Sequence, residues 1–261
     1  MRAFFPPAIA SVLLIFAVLV PEAEGRLFGG GDGGRKKGSK AGQEFIIVSG
    51  GPALREWEDL RREADQHDRW WGNFVRTAKI RMKAIFDEHG PSTKITWMVY
   101  RSGYSRRASE QGDPLVSYVT SVRDDYFRDD LGLRIKLVWF ESGDEVIDHI
   151  NNGYNRREVK VGGFEYFGHS NKFAFMFDYS NWISGVSKSW LHEADLRKIS
   201  RRAFAKDAYC QSWGCHSGES FSAAWRKATG TKMWGAQGKT DYSVLQYGRL
   251  PEISGNGRWK Y

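Results

Sequence analysis

The chain predicts an α/β protein of a single domain, in which a mostly parallel sheet is covered by helices on both faces. Short apolar runs alternate with stretches of helical periodicity. The connections between the runs are long enough for the crossovers that parallel strands require. Of the 261 residues, 41% are hydrophobic and 27% are charged, which is a globular composition. It excludes a disordered, a collagenous and a multispanning membrane protein.

The first 25 residues have the three regions of a secretory signal peptide. Arg2 is positive, an apolar run extends from Ala3 to Val20, and Ala23-Glu24-Gly25 provides the small residues of a cleavage site. An uncleaved anchor is the alternative, but Pro6-Pro7 interrupt a run that barely reaches the length of a spanning helix. We therefore expect a secreted or periplasmic protein with no membrane span after signal cleavage.

A basic, glycine-rich segment follows over residues 26–43. It contains seven Gly, five basic residues and one Asp, and such a composition predicts a flexible linker. The net charge of the chain is +8, and the linker holds much of it. The folded part from Glu44 is therefore not expected to bind a specific nucleic acid. Solubility explains the charge of the linker, and weak contact with an anionic envelope is the alternative.

The pattern from residue 44 onward predicts a series of strands and helices. Strands are expected at 45–48, 95–100, 133–140, 161–167, 173–177, 208–213 and 232–235. Helices are expected within 54–88, from Pro114 to about Asp130, after Ser142, over His192–Phe204 and from Ser217 to Ala228. The chain from Asp241 has no clear period. Ligands bind beyond the carboxyl ends of strands in such sheets, so residues directly after strands are the functional candidates.

Two of these strands end in Gly followed by a reactive side chain. One continues into Gly168-His169-Ser170 and the other into Gly214-Cys215-His216. If the strands are neighbours, His169 and Cys215 face each other at one edge of the sheet. A thiolate attacks carbonyl carbons, and an imidazole deprotonates the thiol and later protonates the leaving amine. The pattern therefore predicts a catalytic dyad of Cys215 and His169.

The helix predicted from Ser217 adds two expectations for this dyad. Its positive end would favour the thiolate form of Cys215. Backbone N–H groups near the nucleophile would stabilise a tetrahedral oxyanion, with Gly168 and Gly214 as the backbone positions of that hole. Ser170 and His216 are accessory candidates.

In combination these motifs resemble the caspase-like (clan CD) cysteine peptidases, the superfamily of caspases, gingipains and legumains. Its members have an apolar strand ending in His, usually His-Gly, and then an apolar strand ending in Cys. The order is the same here, and the separation of 46 residues between His169 and Cys215 is near the ~50 of caspases. The segments Leu131–Val138 and Cys215–Gly218 are similar to the corresponding parts of bacterial caspase-like domains.

The resemblance covers about residues 94–240. It implies a caspase-like three-layer sandwich and a secreted thiol hydrolase that cleaves a peptide or protein substrate without a metal or cofactor. Ser170 departs from the family pattern, because Gly usually follows the His there and its backbone helps to form the oxyanion hole. A catalytically inactive envelope or binding module on the same scaffold, with Cys215 incidental, is therefore an alternative function.

Other interpretations of the same residues also stand. A disulfide between Cys210 and Cys215 would need the chain to turn back, because five strand positions separate them by ~16 Å and a disulfide spans ~4.4–6.8 Å. Cys210 is otherwise expected to be a buried apolar residue. His216 beside Cys215 suggests a metal ligand, but no further ligand set is evident. His192-Glu193 is interpreted as the start of a helix rather than a metal motif.

A serine hydrolase is the remaining alternative. The segment Gly168-His169-Ser170-Asn171 is similar to the Gly-x-Ser-x-Gly nucleophile elbow, with Ser170 as nucleophile. Lys172 stands where the motif has its closing Gly, and no helix is expected directly after it.

Overall fold

The computed structural model describes residues 42–52, 72–90, 92–111, 119–122, 135–178 and 189–261. The predicted signal peptide, most of the predicted linker and the predicted helix positions before residue 72 lie outside these residues. Of the helix predicted from Pro114, only residues 119–122 are described, and they are helical.

The described strands and helices follow one another in the alternation that the sequence predicts. The strands are β1 (Gly42–Ser49), β2 (Lys94–Tyr100), β3 (Ile135–Phe140), β4 (Val159–Phe167), β5 (His169–Ser170), β6 (Ala174–Met176), β7 (Trp190–His192), β8 (Phe204–Ser212), β9 (Met233–Gln237), β10 (Thr240–Asp241), β11 (Glu252–Ile253) and β12 (Arg258–Lys260). The longer helices are α1 (Asn73–His89), α2 (Arg101–Gln111), α3 (Gly143–Asn152) and α4 (Phe221–Thr229). Short 3₁₀ turns span Glu193–Lys198, Arg201–Ala203 and Ser243–Tyr247.

Seven strands form the central sheet in the order β12-β9-β8-β4-β1-β2-β3. Neighbouring strands from β9 to β3 pair in parallel, and β12 pairs antiparallel to β9 at one edge. The chain builds outward from β1 through β2 and β3, and then returns to the other side of β1 with β4. This topology confirms the predicted α/β class with a mostly parallel sheet.

Helices cover both faces of the central sheet, as predicted. Alternate residues of a strand point to opposite faces, so Ile46 and its neighbour Ile47 belong to two different cores. The core around Ile46 includes Trp225 of α4, and the core around Ile47 includes Met82 of α1. The sheet is therefore the middle of three layers. None of the described helices has the length and apolarity needed to cross a membrane.

Helix ends follow the local signals in the sequence. Ser142 caps α3 by accepting the N–H of Glu145 at 3.4 Å. Gly90 follows α1 with a φ of 85°, and Gly230 follows α4 in the left-handed conformation with a φ of 80°. Glycine reaches such φ values without strain, so both positions end their helices.

The helix predicted over His192–Phe204 is wrong. The chain leaves β7 at His192, makes two 3₁₀ turns and enters β8 at Phe204. The side-chain amide of Asn151 in α3 explains the break. Its Nδ2 donates to the carbonyl of Lys198 at 2.9 Å and its Oδ1 accepts the N–H of Ser200 at 2.8 Å. Two backbone groups that would continue a helix are thus bonded to a side chain instead.

The structure differs from the expectations at three further places. β1 begins at Gly42, two residues inside the predicted linker, because Gly42 and Gln43 pair with β4. The apolar stretch at 173–177 contributes β6 to a separate antiparallel sheet of order β5-β6-β7 rather than to the central sheet. The chain from Asp241, which shows no period, contains short strands that include β11 and β12.

A buried charged cluster ties the amino ends of β1 and β2 to α3. The carboxylate of Glu44 is fully buried and lies 2.5 Å from Thr96 Oγ1, 2.9 Å from His149 Nε2 and 2.6 Å from Arg156 Nη1. Burial alone would raise the pKa of Glu44. Hydrogen bonds from His149 and Thr96, with the charge of Arg156, hold that pKa below its usual range.

We expect this cluster to stabilise the fold above the usual carboxyl range and to lose its effect on acidification. The folded pKa of Glu44 lies below the unfolded value of about 4.3, so the contribution is lost as the pH falls through the folded pKa. Glu44→Gln should lower the free energy of unfolding at neutral pH by about 3–5 kcal/mol. Urea denaturation over a range of pH measures both effects.

The matched control for Glu44→Gln is Asp148→Asn, an exposed carboxylate of α3 that accepts a hydrogen bond from Asn152 at 2.7 Å. Its substitution should change the free energy of unfolding by less than about 0.5 kcal/mol. A Glu44→Gln variant as stable as the parent at neutral pH would contradict the role of the cluster.

Candidate functional site at the carboxyl ends of β4 and β8

β4 and β8, the two strands that carry the predicted dyad, are neighbours in the central sheet. They pair in parallel, with Phe164 opposite Cys210 and Tyr166 opposite Ser212. Beyond the last pair, the N–H of Trp213 donates to the carbonyl of Tyr166 at 2.9 Å. The carboxyl ends of both strands therefore finish side by side, which is the condition on which the predicted dyad depends.

The segments that follow these strands lie directly against each other. Ser170 Oγ donates to the carbonyl of Cys215 at 2.6 Å. A Cβ at Gly214 would lie 2.2 Å from Ser170 Oγ and 2.9 Å from the carbonyl oxygen of Gly168. A Cβ at Gly168 would lie 2.3 Å from the hydroxyl of Tyr166. Gly214 is therefore required for the close approach of the two segments, and Gly168 makes room for the side chain of Tyr166 in the strand before it.

His169 lies at the start of the β5–β6 hairpin, where it is opposite Met176. The residue is half-buried, and its Nε2 is shielded from solvent. Its ring contacts Phe74 of α1 edge to face, with a centroid distance of 5.2 Å. The hydroxyl of Tyr166 donates to the carbonyl of His169 at 2.6 Å. Backbone and ring are thus both held by neighbouring elements.

Cys215 is half-buried, and its sulfur contacts Thr240. The N–H of Thr240 donates to Sγ at 3.4 Å, and Thr240 Oγ1 lies 3.5 Å from the same atom. Thr240 belongs to β10, which pairs with β11. No pattern in the sequence indicates this residue, because a two-residue strand is too short to show a period.

The two cysteines are both free thiols, so the alternative of a Cys210–Cys215 disulfide is wrong. Cys210 is fully buried within β8, as predicted. Burial raises the pKa of Cys210 to about 12, so this thiol stays protonated and unreactive at neutral pH.

The helix expected directly after Cys215 begins later than predicted. Ser220 is the N-cap residue and α4 begins at Phe221, so the positive end of α4 does not lie at the residue after the thiol. Ser217 instead donates its hydroxyl to the carbonyl of Gly214 at 3.1 Å and stabilises a turn. The expected effect of the helix end on the thiolate is therefore not supported.

Backbone donors after Cys215 are already bonded within the fold. The N–H of His216 donates to Gly238 at 2.7 Å, and that of Gly218 donates to Ala236 at 2.9 Å. Neither is available to an oxyanion. The N–H of Gly214 faces Ser212 Oγ at a longer distance of 3.3 Å. The oxyanion role of Gly168 and Gly214 stays a prediction.

His216 is the one non-glycine residue of the described chain with a positive φ, at 61°. Its Nδ1 lies 2.6 Å from Glu219 Oε1, which also accepts the N–H of Gly238 at 3.2 Å. The hydrogen bond from His216 lowers the pKa of Glu219. His216 is therefore bonded to a carboxylate on the same turn. Among the described residues, no group of three or more His, Cys, Asp or Glu is placed to hold a metal ion.

The surroundings of Ser170 differ from those of a nucleophile elbow. An elbow places its Ser at an exposed turn between a strand and a helix. Ser170 is buried in β5, donates to the carbonyl of Cys215 and is followed by a hairpin. His192, which the sequence predicts to begin a helix, accepts the N–H of Ala194 on Nδ1 at 3.1 Å and begins a 3₁₀ turn.

A buried ion pair beneath the site holds the end of β8. Glu165 of β4 accepts hydrogen bonds from Arg81 Nε at 2.6 Å and from Trp213 Nε1 at 2.9 Å. Burial raises the pKa of Glu165, and Arg81 and Trp213 oppose that effect. Because Trp213 directly precedes Gly214-Cys215, this network positions the segment with the thiol. A single Glu within an apolar run was the only signal of it in the sequence.

The fold and the site define an α/β protein with a candidate site where two adjacent parallel strands end. No family model, curated protein or solved structure matches the chain.

The contact between the two segments predicts that substitutions of Gly214 and Ser170 have non-additive effects on the free energy of unfolding. Gly214→Ala should lower the free energy of unfolding by about 1–3 kcal/mol, because its Cβ would overlap Ser170. Ser170→Gly removes the nearest overlapping atoms, so the double variant should lose less stability than the sum of the two single variants. Urea denaturation of the four proteins measures this coupling. Strictly additive losses would contradict the contact.

Proposed function

We propose that the protein is a secreted cysteine hydrolase that cleaves peptide bonds, with Cys215 as nucleophile and His169 as acid and base. The observation that carries the proposal is the parallel pairing of β4 with β8, whose following segments are in contact. The half-buried thiol of Cys215, which is not in a disulfide, supports it, because a substrate needs access to the sulfur. The resemblance to caspase-like peptidases is the reason for proposing a peptide or protein as the substrate.

The reaction proceeds in two steps. Cys215 Sγ gives its proton to His169 and attacks the carbonyl carbon, and the tetrahedral intermediate then expels an amine that takes the proton from His169. Water, deprotonated by His169, releases the acyl group and restores the thiol. Thr240 orients the sulfur through its N–H. Ser170 holds the carbonyl of Cys215 and so fixes the peptide next to the nucleophile.

An inactive binding module is the second candidate. The backbone donors of His216 and Gly218 are bonded within the fold, and α4 begins only at Phe221. Both observations remove expected sources of charge stabilisation near Cys215. On this alternative, Cys215 would be a structural thiol held by Thr240.

Alkylation of the native protein separates the two candidates. Iodoacetamide should modify Cys215 and leave Cys210 unmodified, because Cys210 is buried and protonated. His169→Gln should slow the modification of Cys215 at neutral pH, because the base is lost. His89→Gln, on the exposed end of α1, should not. Mass spectrometry of the intact and digested protein measures the rates, and unfolding in urea should expose both thiols.

Activity towards a library of quenched fluorescent peptides tests catalysis itself. His169→Gln should reduce kcat by about 10²–10⁴-fold, and Cys215→Ala should abolish turnover. Alkylation of Cys215 at the same rate in His169→Gln, with no hydrolysis by the parent protein, would identify the binding module instead. Labelling of Ser170 by a fluorophosphonate would contradict both and favour a serine hydrolase.

A further inference from the structure

A cleft of about 670 Å³ opens at the amino edge of the central sheet, at the opposite end of β4 from Cys215. This volume lies within the range of small-molecule sites. The nine residues of β4 separate the two ends by about 26 Å at ~3.3 Å each, so the cleft is a separate place on the molecule. The residues that line it come from the amino ends of β1, β4 and β8, from the turn before β4 and from the 3₁₀ turn before β8.

An irregularity in the sheet shapes the cleft. Val161 of β4 pairs with Phe204 of β8, whereas Gly163 pairs with Tyr209. β4 therefore has one residue between these pairs, and β8 has the four residues 205–208, which bulge out of the ladder. Such bulges are frequent next to functional sites, where they redirect side chains. Here the bulge carries Lys206 and Ala205 into the lining.

The rim of the cleft is positively charged. Arg157, Arg202 and Lys206 are exposed, and within the described ranges their side chains make no ion pair. The lining has one carboxylate, that of Asp207, which accepts a hydrogen bond from Gln43 at 3.4 Å. The rim therefore has more positive charge than its own acids neutralise.

The other two basic side chains of the lining are already engaged within the fold. Arg156 bonds Glu44, the carbonyl of His149 and the carbonyl of Ile150, and Lys160 donates to the carbonyl of Arg202. These two side chains stabilise the walls of the cleft. The side chains of Arg157, Arg202 and Lys206 are therefore the ones available to bind a ligand.

The floor of the cleft is apolar. Phe204 is 7% exposed and packs edge to face on Trp225, with a centroid distance of 5.7 Å. Ala205 lies beside it at the start of the bulge. A ligand that fits both the rim and the floor combines an anionic group with an apolar body.

We propose that this cleft binds a small organic phosphate, with its phosphate on Arg157, Arg202 and Lys206 and its apolar body on Phe204 and Ala205. A guanidinium matches a phosphate through paired hydrogen bonds, which favours phosphate over a monovalent anion at a rim with two arginines. The site is independent of the proposed hydrolase chemistry, because it shares no residue with the Cys215 site.

Isothermal titration of the full chain with 1-naphthyl phosphate tests the proposal. The parent protein should bind it saturably, and Arg202→Glu and Lys206→Glu should each weaken binding by about tenfold or more. Lys227→Glu, an exposed charge reversal on α4 outside the cleft, should leave the affinity unchanged. Inorganic phosphate and 1-naphthol should each bind more weakly than the ester, because each lacks one half of the ligand.

Three results would overturn the proposal: no saturable binding of 1-naphthyl phosphate, equal affinity in Arg202→Glu, or inorganic phosphate binding as tightly as the ester. Sedimentation with phosphatidic acid vesicles distinguishes a lipid headgroup from a soluble ligand. The proposal would also be overturned if the parent protein bound these vesicles but not 1-naphthyl phosphate, and if Arg202→Glu abolished the vesicle binding. Alkylation of Cys215 in Arg202→Glu should match the parent, so failure here is separable from failure of the hydrolase proposal.

Discussion

Parallel pairing between β4 and β8 determines where the candidate chemistry lies. The ladder from Gly163 opposite Tyr209 to Tyr166 opposite Ser212 brings both strands to the same edge of the sheet. Glu165 stabilises the end of that ladder, because its carboxylate accepts hydrogen bonds both from Arg81 of α1 and from the indole of Trp213. With the strand ends held, the missing Cβ of Gly214 lets the following segments touch. A slip of the register by two residues would move Cys215 by about 7 Å along the strand direction, away from its present position relative to the end of β4.

The same sheet separates two kinds of surface. At its carboxyl edge lie a thiol, an imidazole and two glycines whose missing Cβ atoms permit close packing. At its amino edge, the bulge at 205–208 opens a cleft with cationic side chains. The buried cluster around Glu44 stabilises that end, because Arg156 bonds both the Glu44 carboxylate and the backbone of α3. Each edge thus has its own stabilising ion pair, and the two do not share residues.

Much of the fold could be predicted because its signals are local. Continuous apolar runs such as Phe45–Val48 are typical of parallel strands buried on both faces, and the caps at Ser142 and Gly90 depend on residues a few positions away. The predicted helix over His192–Phe204 failed for a non-local reason. The apolar spacing of Leu196 and Ile199 suits a helix, but Asn151, which lies 47 positions before Lys198, bonds the backbone of this segment.

Part of the candidate site could likewise be predicted from local signals, and part could not. The strand ends at His169 and Cys215 were visible as apolar runs closing in Gly. Thr240 and Glu165 were not, because their roles depend on which strands pair and in which register. The sequence predicts the start of α4 too early, since Ser217 and Ser220 are equally good caps by type and the bond from Ser217 to Gly214 decides between them.

The proposed convergence of residues 169 and 215 on one site is tested most directly by a chemical crosslink between them. In a Cys210→Ala background, His169→Cys places a second thiol at the predicted position. Dibromobimane, a short reagent that fluoresces strongly once it joins two thiols, should crosslink it to Cys215 within one native chain. His89→Cys in the same background, on the exposed end of α1, should give no such product. Separate modification of the introduced thiol and of Cys215, without a crosslink, would contradict a shared site.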